Sequence, residues 1–239
     1  MKYQNIVKGS FISRPNRFIA NVNIDGETQK VHVKNTGRCK ELLEMGNTVY
    51  LEDFKDHMAS RKTRYSLISV IKNDQNGGKK MLINMDSQAP NKVVQESLLS
   101  ASIILPNMDQ LTVVKPEQKY KNSRFDFYVE DVAGKSAYIE VKGVTLERDG
   151  VAYFPDAPTE RGAKHVKELI DAAKEGFGAY VILVVQIEDI GLFRPNKETD
   201  PAFSENLLKA SKSGVEVLAY NCKVTEDQLI IADKMELEL

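Results

Sequence analysis

The chain has 239 residues, 42% hydrophobic and 28% charged, with a formal net charge of -1 and a pI near 6.4. That supplies a core for one large domain or two small ones, and it excludes a protein that coats nucleic acid through bulk charge, so any such contact must be local. Cys39 and Cys222 lie far apart without metal-ligand spacing, no leader pattern opens the sequence, and no apolar run approaches the roughly 20 residues of a membrane span. A cytoplasmic protein without membrane contact is expected.

Alternating segments at Gly9–Ser13, Arg17–Ile24, Gln29–Val33, Thr48–Leu51, Tyr65–Ile71 and Met81–Asn84 predict short strands. Pro15-Asn16, Asp25-Gly26, Gly46-Asn47 and Asn76-Gly77-Gly78 supply the turns between them, and Lys40–Glu44 is the one helical hint. Strands at this spacing suggest a small barrel or sandwich, and the mix fits an OB-like barrel. Basic residues gather in three clusters: Arg14 and Arg17 around a turn, Arg38 and Lys40 after Asn35-Thr36-Gly37, and Arg61, Lys62 and Arg64 before Tyr65. Each reads either as a solvated loop or as a phosphate clamp with Phe11, Phe18 and Tyr65 nearby for stacking. His32, in an alternating strand, reads as a packed residue.

From Gln88 the pattern changes. Asn91 reads as an N-cap, with Val93, Val94, Leu98, Leu99 and Ile103 at helical spacing. A strand at Gln110–Val114 and an exposed loop at Lys115–Asn122 precede S-R-F-D-F-Y-V-E-D-V-A-G-K-S-A-Y-I-E-V-K-G, residues 123–143. This reads as a hairpin turning at Asp131–Lys135, where Gly134 supplies a positive φ. Alternation gives Phe125, Phe127, Val129, Ala137, Ile139 and Val141 to a core and Arg124, Asp126, Tyr128, Ser136, Tyr138, Glu140 and Lys142 to the other face. Pairing Glu130 with Ser136 sets Tyr128 opposite Tyr138, Asp126 opposite Glu140 and Arg124 opposite Lys142. Two facing carboxylates are costly unless a cation joins them. A hard ion such as Mg2+, held by Asp126, Glu140 and the Val141 carbonyl, fits, with Lys142 placed to orient or deprotonate a water. The bland alternative is a surface hairpin on which Glu140 pairs with Lys142.

A connection ending in Pro155-Asp156-Ala157-Pro158 leads to Thr159 as N-cap of a helix over Glu160–Glu175, buried along Val166, Leu169, Ile170 and Ala173. Arg161, His165 and Glu168 share another of its faces, where Arg161 and His165 would favour a phosphate. Ala179–Gln186 reads as a central strand, Pro201–Ser213 as a helix stopped by Gly214, and Glu216–Tyr220 and Leu229–Ile231 as strands. The order predicts a mixed sheet with flanking helices. No repeat, GxxxxGK[ST] loop or zinc spacing is visible.

Asp126, Glu140 and Lys142, spaced D-x(13)-E-x-K, resemble the metal-dependent PD-(D/E)xK nuclease core. More specific are S-R-F-D-F, E-V-K-G-V-T-L and F-P-D-A-P-T-E-R-G-A-K-H-V-K-E-L, with R-P-N-R-F and N-T-G-R-C-K-E-L-L upstream. Together these resemble the bacterial and archaeal sugar fermentation stimulation protein family across nearly the whole chain. The resemblance implies an α+β or α/β architecture: an OB-like β-barrel, residues 1–87, followed by a mixed-sheet PD-(D/E)xK nuclease-like domain, residues 88–239. One departure is Phe125, where the nuclease motif has proline; Pro155-Asp156 lies after Lys142 and is not that motif's opening pair.

The implied catalytic set is Asp126, Glu140, Lys142, Arg161 and His165, around Mg2+ or Mn2+ on Asp126, Glu140 and Val141, with Glu96 or Glu117 as a further acid. DNA contacts are expected from Arg14, Arg17, Arg38, Lys40, Arg61, Lys62, Arg64 and Arg124. The first reading is a DNA-binding protein with a nuclease-like metal site that regulates genes of sugar metabolism. The second is an active Mg2+-dependent DNA or RNA phosphodiesterase. A third takes the family name literally, with a sugar or small effector on the barrel. A homo-oligomer is left open.

Overall fold

A computed structural model describes residues 1–58, 61–73 and 80–239. The predicted turn at Asn76-Gly77-Gly78 lies outside the described residues. The chain divides into two compact units: Met1–Ala89 with Gln186–Asp189 and Cys222–Ile230, and Pro90–Val185 with Ile190–Asn221 and Ile231–Leu239.

The first unit is a barrel. Its strands are β1 (Ile6–Asn16), β2 (Ile19–Ile24), β3 (Glu27–Val33), β4 (Thr48–Asp53), β5 (Tyr65–Lys72) and β6 (Met81–Asn84). They follow the order β3-β2-β1-β4-β5-β6, and a parallel β3–β5 pairing closes the first five into a ring, with β6 added on β5. Inward positions of β2 alternate as a half-buried strand requires, so Ala20, Val22 and Ile24 are buried, whereas β5 is buried without interruption from Tyr65 to Val70. Gly9 lets β1 lie close against β2: a Cβ there would stand 2.5 Å from Val22 Cγ1 and 2.9 Å from the Asn23 carbonyl oxygen.

Two local expectations are corrected. β1 runs through Pro15 to Asn16, so the turn falls at Arg17-Phe18, where Asn16 Oδ1 accepts from the N–H groups of Phe18 and Ile19. Lys40–Glu44 forms turns, not a helix; the Leu42 and Leu43 N–H groups both return to the Cys39 carbonyl. A five-residue segment is too short to repay helix nucleation.

The second unit is built on a six-stranded mixed sheet. In chain order come α1 (Ala89–Leu99), β7 (Leu111–Tyr120), β8 (Ser123–Asp131), β9 (Ser136–Val144), β10 (Leu146–Arg148), β11 (Val151–Phe154), α2 (Glu160–Lys174) and β12 (Gly178–Val185). They are followed by β13 (Leu192–Pro195), α3 (Pro201–Ser211), β14 (Glu216–Val224), β15 (Leu229–Lys234) and β16 (Glu236–Leu237). The main sheet has the order β15-β14-β12-β9-β8-β7, and a small sheet has the order β10-β11-β13-β16. β7, β8 and β9 pair antiparallel, whereas β9, β12 and β14 run parallel, which places β12 centrally and buries it from Ala179 to Val185.

β7 continues through the segment predicted as an exposed loop. It is an edge strand, a place where Pro116 and outward lysines are tolerated. Asn91 lies within α1 and is not its cap. The strands of the small sheet, two to four residues each, were not predicted, being too short to carry a period. Thr159 caps α2 as expected, its Oγ1 accepting from Gly162 N–H at 3.1 Å. Among the described residues no helix is long and apolar enough to cross a membrane.

Candidate functional site

The 123–143 hairpin turns at Asp131–Lys135, where Gly134 has φ +79° and Asp131 Oδ1 accepts from Ala133 and Lys135 N–H. Its register is the predicted one, with Glu130 opposite Ser136 and Tyr128 opposite Tyr138. The ladder then ends at Phe127–Ile139, while β8 stays paired with β7 to Ser123 and β9 stays paired with β12 to Val144. The predicted oppositions of Asp126 with Glu140 and of Arg124 with Lys142 are therefore not rungs of the ladder. Instead Asp126 Oδ2 accepts from Val141 N–H at 2.7 Å, so a side chain fills the gap where a backbone carbonyl would have bonded.

A residue's N–H and C=O point to the same side of a strand, so the Val141 carbonyl faces this gap too. Beyond the end of the ladder the predicted sorting of faces also changes. Phe125 packs its ring against Tyr138, at 5.4 Å between centroids, and His165, at 6.0 Å, on the side that carries Glu140.

Asp126 is held at both oxygens, because Oδ1 accepts from Asn91 Nδ2 at 2.8 Å. Asn91 had looked like a helix cap. Its position in the first turn of α1, with its amide reaching Asp126 of β8, depends on packing that the local sequence does not encode. Glu140 is 3% exposed, and its Oε1 takes both Lys142 Nζ, at 2.5 Å, and His165 Nδ1, at 2.7 Å. Among the described residues, Glu140 Oε2 is buried with no hydrogen-bond partner.

Burial and the charge of Glu140 raise the Asp126 pKa against the opposing bonds from Val141 and Asn91 and the charge of Lys142. Burial would raise Glu140 as well, but the His165 bond and the charge and bond of Lys142 outweigh it and leave Glu140 below the ordinary glutamate range. Two neighbouring carboxyls are thus pushed in opposite directions.

An orphaned buried carboxylate oxygen beside a second fixed carboxylate is a donor set suited to a hard divalent cation. Among the described residues no three His, Cys, Asp or Glu side chains converge as a ligand set, so such an ion would keep several water or substrate oxygens. Glu96 is exposed on α1, and Glu117 is exposed on β7 with Arg124 at 3.7 Å. Arg161 is exposed in the first turn of α2, four residues before His165.

The barrel's basic residues differ in how they are held. Arg14 gives its guanidinium to four backbone carbonyls. Arg64 forms a two-pronged pair with Asp53, at 2.7 and 2.6 Å. Arg61 donates to Ser66 Oγ and lies 3.6 Å above the Phe54 ring. Arg17, Arg38, Lys40 and Lys62 are exposed, as is Arg124 on β8.

Comparison with known proteins agrees with both units. Residues 12–81 match the SfsA N-terminal OB domain, and residues 88–228 match the sugar fermentation stimulation protein RE domain. The sugar fermentation stimulation protein homologs of Clostridium beijerinckii and Ruminiclostridium cellulolyticum are 52% and 51% identical over 239 residues, 100% of both chains in each case. The solved structure of Pyrococcus furiosus SfsA in complex with Ca2+ is similar with a TM-score of 0.86 at 26% identity, covering 100% of this chain and 98% of that one. A closed barrel, a mixed sheet with its carboxylates at a parted hairpin, and end-to-end similarity to these relatives agree: the chain belongs to the sugar fermentation stimulation protein family.

Proposed function

We propose that this chain binds DNA and holds a divalent cation, Mg2+ or Mn2+, at Asp126 and Glu140. The observation that carries the metal reading is Glu140 Oε2, buried and, among the described residues, unpartnered, close enough for its charge to raise the pKa of Asp126, whose own oxygens are fixed by Asn91 and Val141. A buried acceptor without a partner is costly, and a cation removes that cost. The Ca2+ in the Pyrococcus furiosus relative supports an oxygen-liganded ion of this class. The OB domain match and the exposed cations Arg17, Arg38, Lys40, Lys62 and Arg124 support the DNA reading. A role in the expression of sugar-metabolism genes is what the family name supports.

A second reading, metal-dependent phosphodiester cleavage, is favoured by Lys142 and His165 converging on Glu140 Oε1. A bound divalent ion supplies Lewis acidity to a phosphoryl oxygen and acidity to a coordinated water. On the protein side, His165 fixes the Glu140 carboxylate. Lys142, an ammonium paired with that carboxylate, stands at its edge to hold an attacking water, and Arg161 offers charge to the phosphate.

The test is DNA binding and DNA cleavage measured side by side in EDTA, Mg2+ and Mn2+, with Glu140→Gln and Lys142→Met. Metal-dependent cleavage lost in both variants, with cation binding kept in Lys142→Met, would establish the second reading. Binding without cleavage would leave the first. Unchanged cation affinity in Glu140→Gln would overturn the metal site.

A further inference from the structure

Arg14 binds two loops of the barrel at once. Its Nη1 donates to the carbonyls of Gly37, at 2.7 Å, and Arg38, at 2.9 Å, and its Nη2 to those of Arg17, at 2.7 Å, and Asn35, at 2.6 Å. The Arg17-Phe18 turn after β1 and the loop after β3 are therefore within the span of one guanidinium. A backbone bond from Val33 N–H, at the end of β3, to the Phe18 carbonyl also ties the turn to the point where that loop begins.

The side chains thrown outward share one chemistry. Phe18 is 44% exposed with Arg17 4.7 Å from its ring centroid. Cys39 is buried, with φ +44°, between exposed Arg38 and exposed Lys40, so the core grips the loop at its middle and turns both cations out. A half-exposed aromatic ring with one guanidinium over it and two more exposed cations on the loop tied to it suits an unpaired base on a single strand; the bases of a duplex are already stacked on each other.

We infer that the Arg17-Phe18 turn and the 35–40 loop form one contact surface for single-stranded nucleic acid, in which Phe18 stacks a base, Arg17, Arg38 and Lys40 meet phosphates, and Arg14 is the positioning residue. This rests on the DNA-binding reading and deepens it. Arg14 acts through its planar fork of donors, which a lysine of equal charge cannot reproduce.

The experiment is fluorescence anisotropy with a labelled oligothymidylate and a duplex of equal length, across a KCl series, on the full chain. Phe18→Ala should weaken single-strand binding about tenfold or more and leave duplex binding nearly unchanged. The double variant Arg38→Ala with Lys40→Ala should flatten the salt slope by about 1.4, for two phosphates at about 0.7 each. Arg14→Lys should bind as poorly as Arg14→Met. Wild-type affinity in Arg14→Lys would show that its charge suffices and overturn the positioning role. Wild-type affinity in Phe18→Ala and the double variant, whose exposed positions spare the fold, would overturn the surface even if the Arg14 variants fail to fold. A preference for duplex would overturn the single-strand assignment. A wild-type chain that binds neither probe would overturn the DNA-binding reading itself, an outcome distinct from the others.

Discussion

Val141 N–H donates to Asp126 Oδ2 at 2.7 Å, at the rung where β8 and β9 cease to pair. One hydrogen bond thereby closes the open end of a ladder and holds a carboxylate in the plane of the sheet. The charge is held at a cost, since burial first and Glu140 second raise the Asp126 pKa. A carboxyl with a raised folded-state pKa lowers stability when ionised. That cost is absent below the unfolded value of about 3.9, grows as pH climbs to the folded value, and is constant above it.

Asp126→Asn removes the charge and keeps the shape. Its Oδ1 can still accept from Val141, and its amide can donate to Asn91 if that side chain turns over. In EDTA near pH 7.5 the variant should melt at or above the wild-type temperature. Saturating Mg2+ or Mn2+ should stabilise the wild type, by about 2.7 kcal/mol at a hundred times Kd, and leave the variant unmoved. Thermal melts with and without the ion decide this, and a variant much less stable in EDTA would assign Asp126 a structural role.

Asn91 gives the second hold on Asp126. Asn91→Ala should cost about 1 kcal/mol of stability and weaken cation binding by about 10–100-fold, as loss of a ligand's supporting bond does in metal sites. Titration calorimetry with Mn2+ measures it directly. Wild-type affinity would mean that Val141 alone orients the carboxylate.

The limits of what could be read in the sequence have identifiable physical sources. The six barrel strands and the hairpin register were legible because alternation and turn residues are local signals, and Tyr128 does face Tyr138. The pairing of Lys142 with Glu140 was legible in the alternation of β9, whereas His165 was assigned to the same site only through the family's motifs, since nothing within α2 reveals which strand it covers. Asn91 was misread because an asparagine at the start of a helix looks the same whether it caps the helix or reaches across to a neighbouring strand. The parting of β8 from β9 was hidden for a similar reason: alternation persists in the sequence through Asp126 although the ladder does not. Arg14 and Arg64 looked like their exposed neighbours, because only the fold brings four carbonyls to one and Asp53 to the other.

Arg64 tests that last distinction. Its bonds hold the Asp53 carboxyl below the usual carboxylate range, and a depressed carboxyl contributes stability that is present above the unfolded value of about 3.9 and lost as pH falls through the folded one. Arg64→Gln should therefore melt below wild type at pH 7, with the gap closing toward pH 3, while nucleic-acid affinity changes little. Melts across pH 3–8 beside a binding assay check it. A loss of affinity with no pH-dependent gap would make Arg64 a nucleic-acid contact after all.

Asp200 joins the starts of two helices. Its Oδ1 accepts from Phe203 N–H at 2.9 Å and caps α3, and its Oδ2 accepts from Thr159 N–H at 2.8 Å, at the N-cap residue of α2. The residue is only 7% exposed, so water cannot readily replace its carboxylate. Asp200→Ala should cost about 2–3 kcal/mol, more than the roughly 1 kcal/mol of an ordinary cap, because it strands a buried donor at Phe203 and a part-buried one at Thr159. Asp200→Asn, which keeps one acceptor oxygen, should recover about half the loss. Urea unfolding of the three proteins measures both differences through the midpoint. A loss near 1 kcal/mol in Asp200→Ala would show that the Thr159 bond adds nothing, and that α2 and its His165 are set by packing alone.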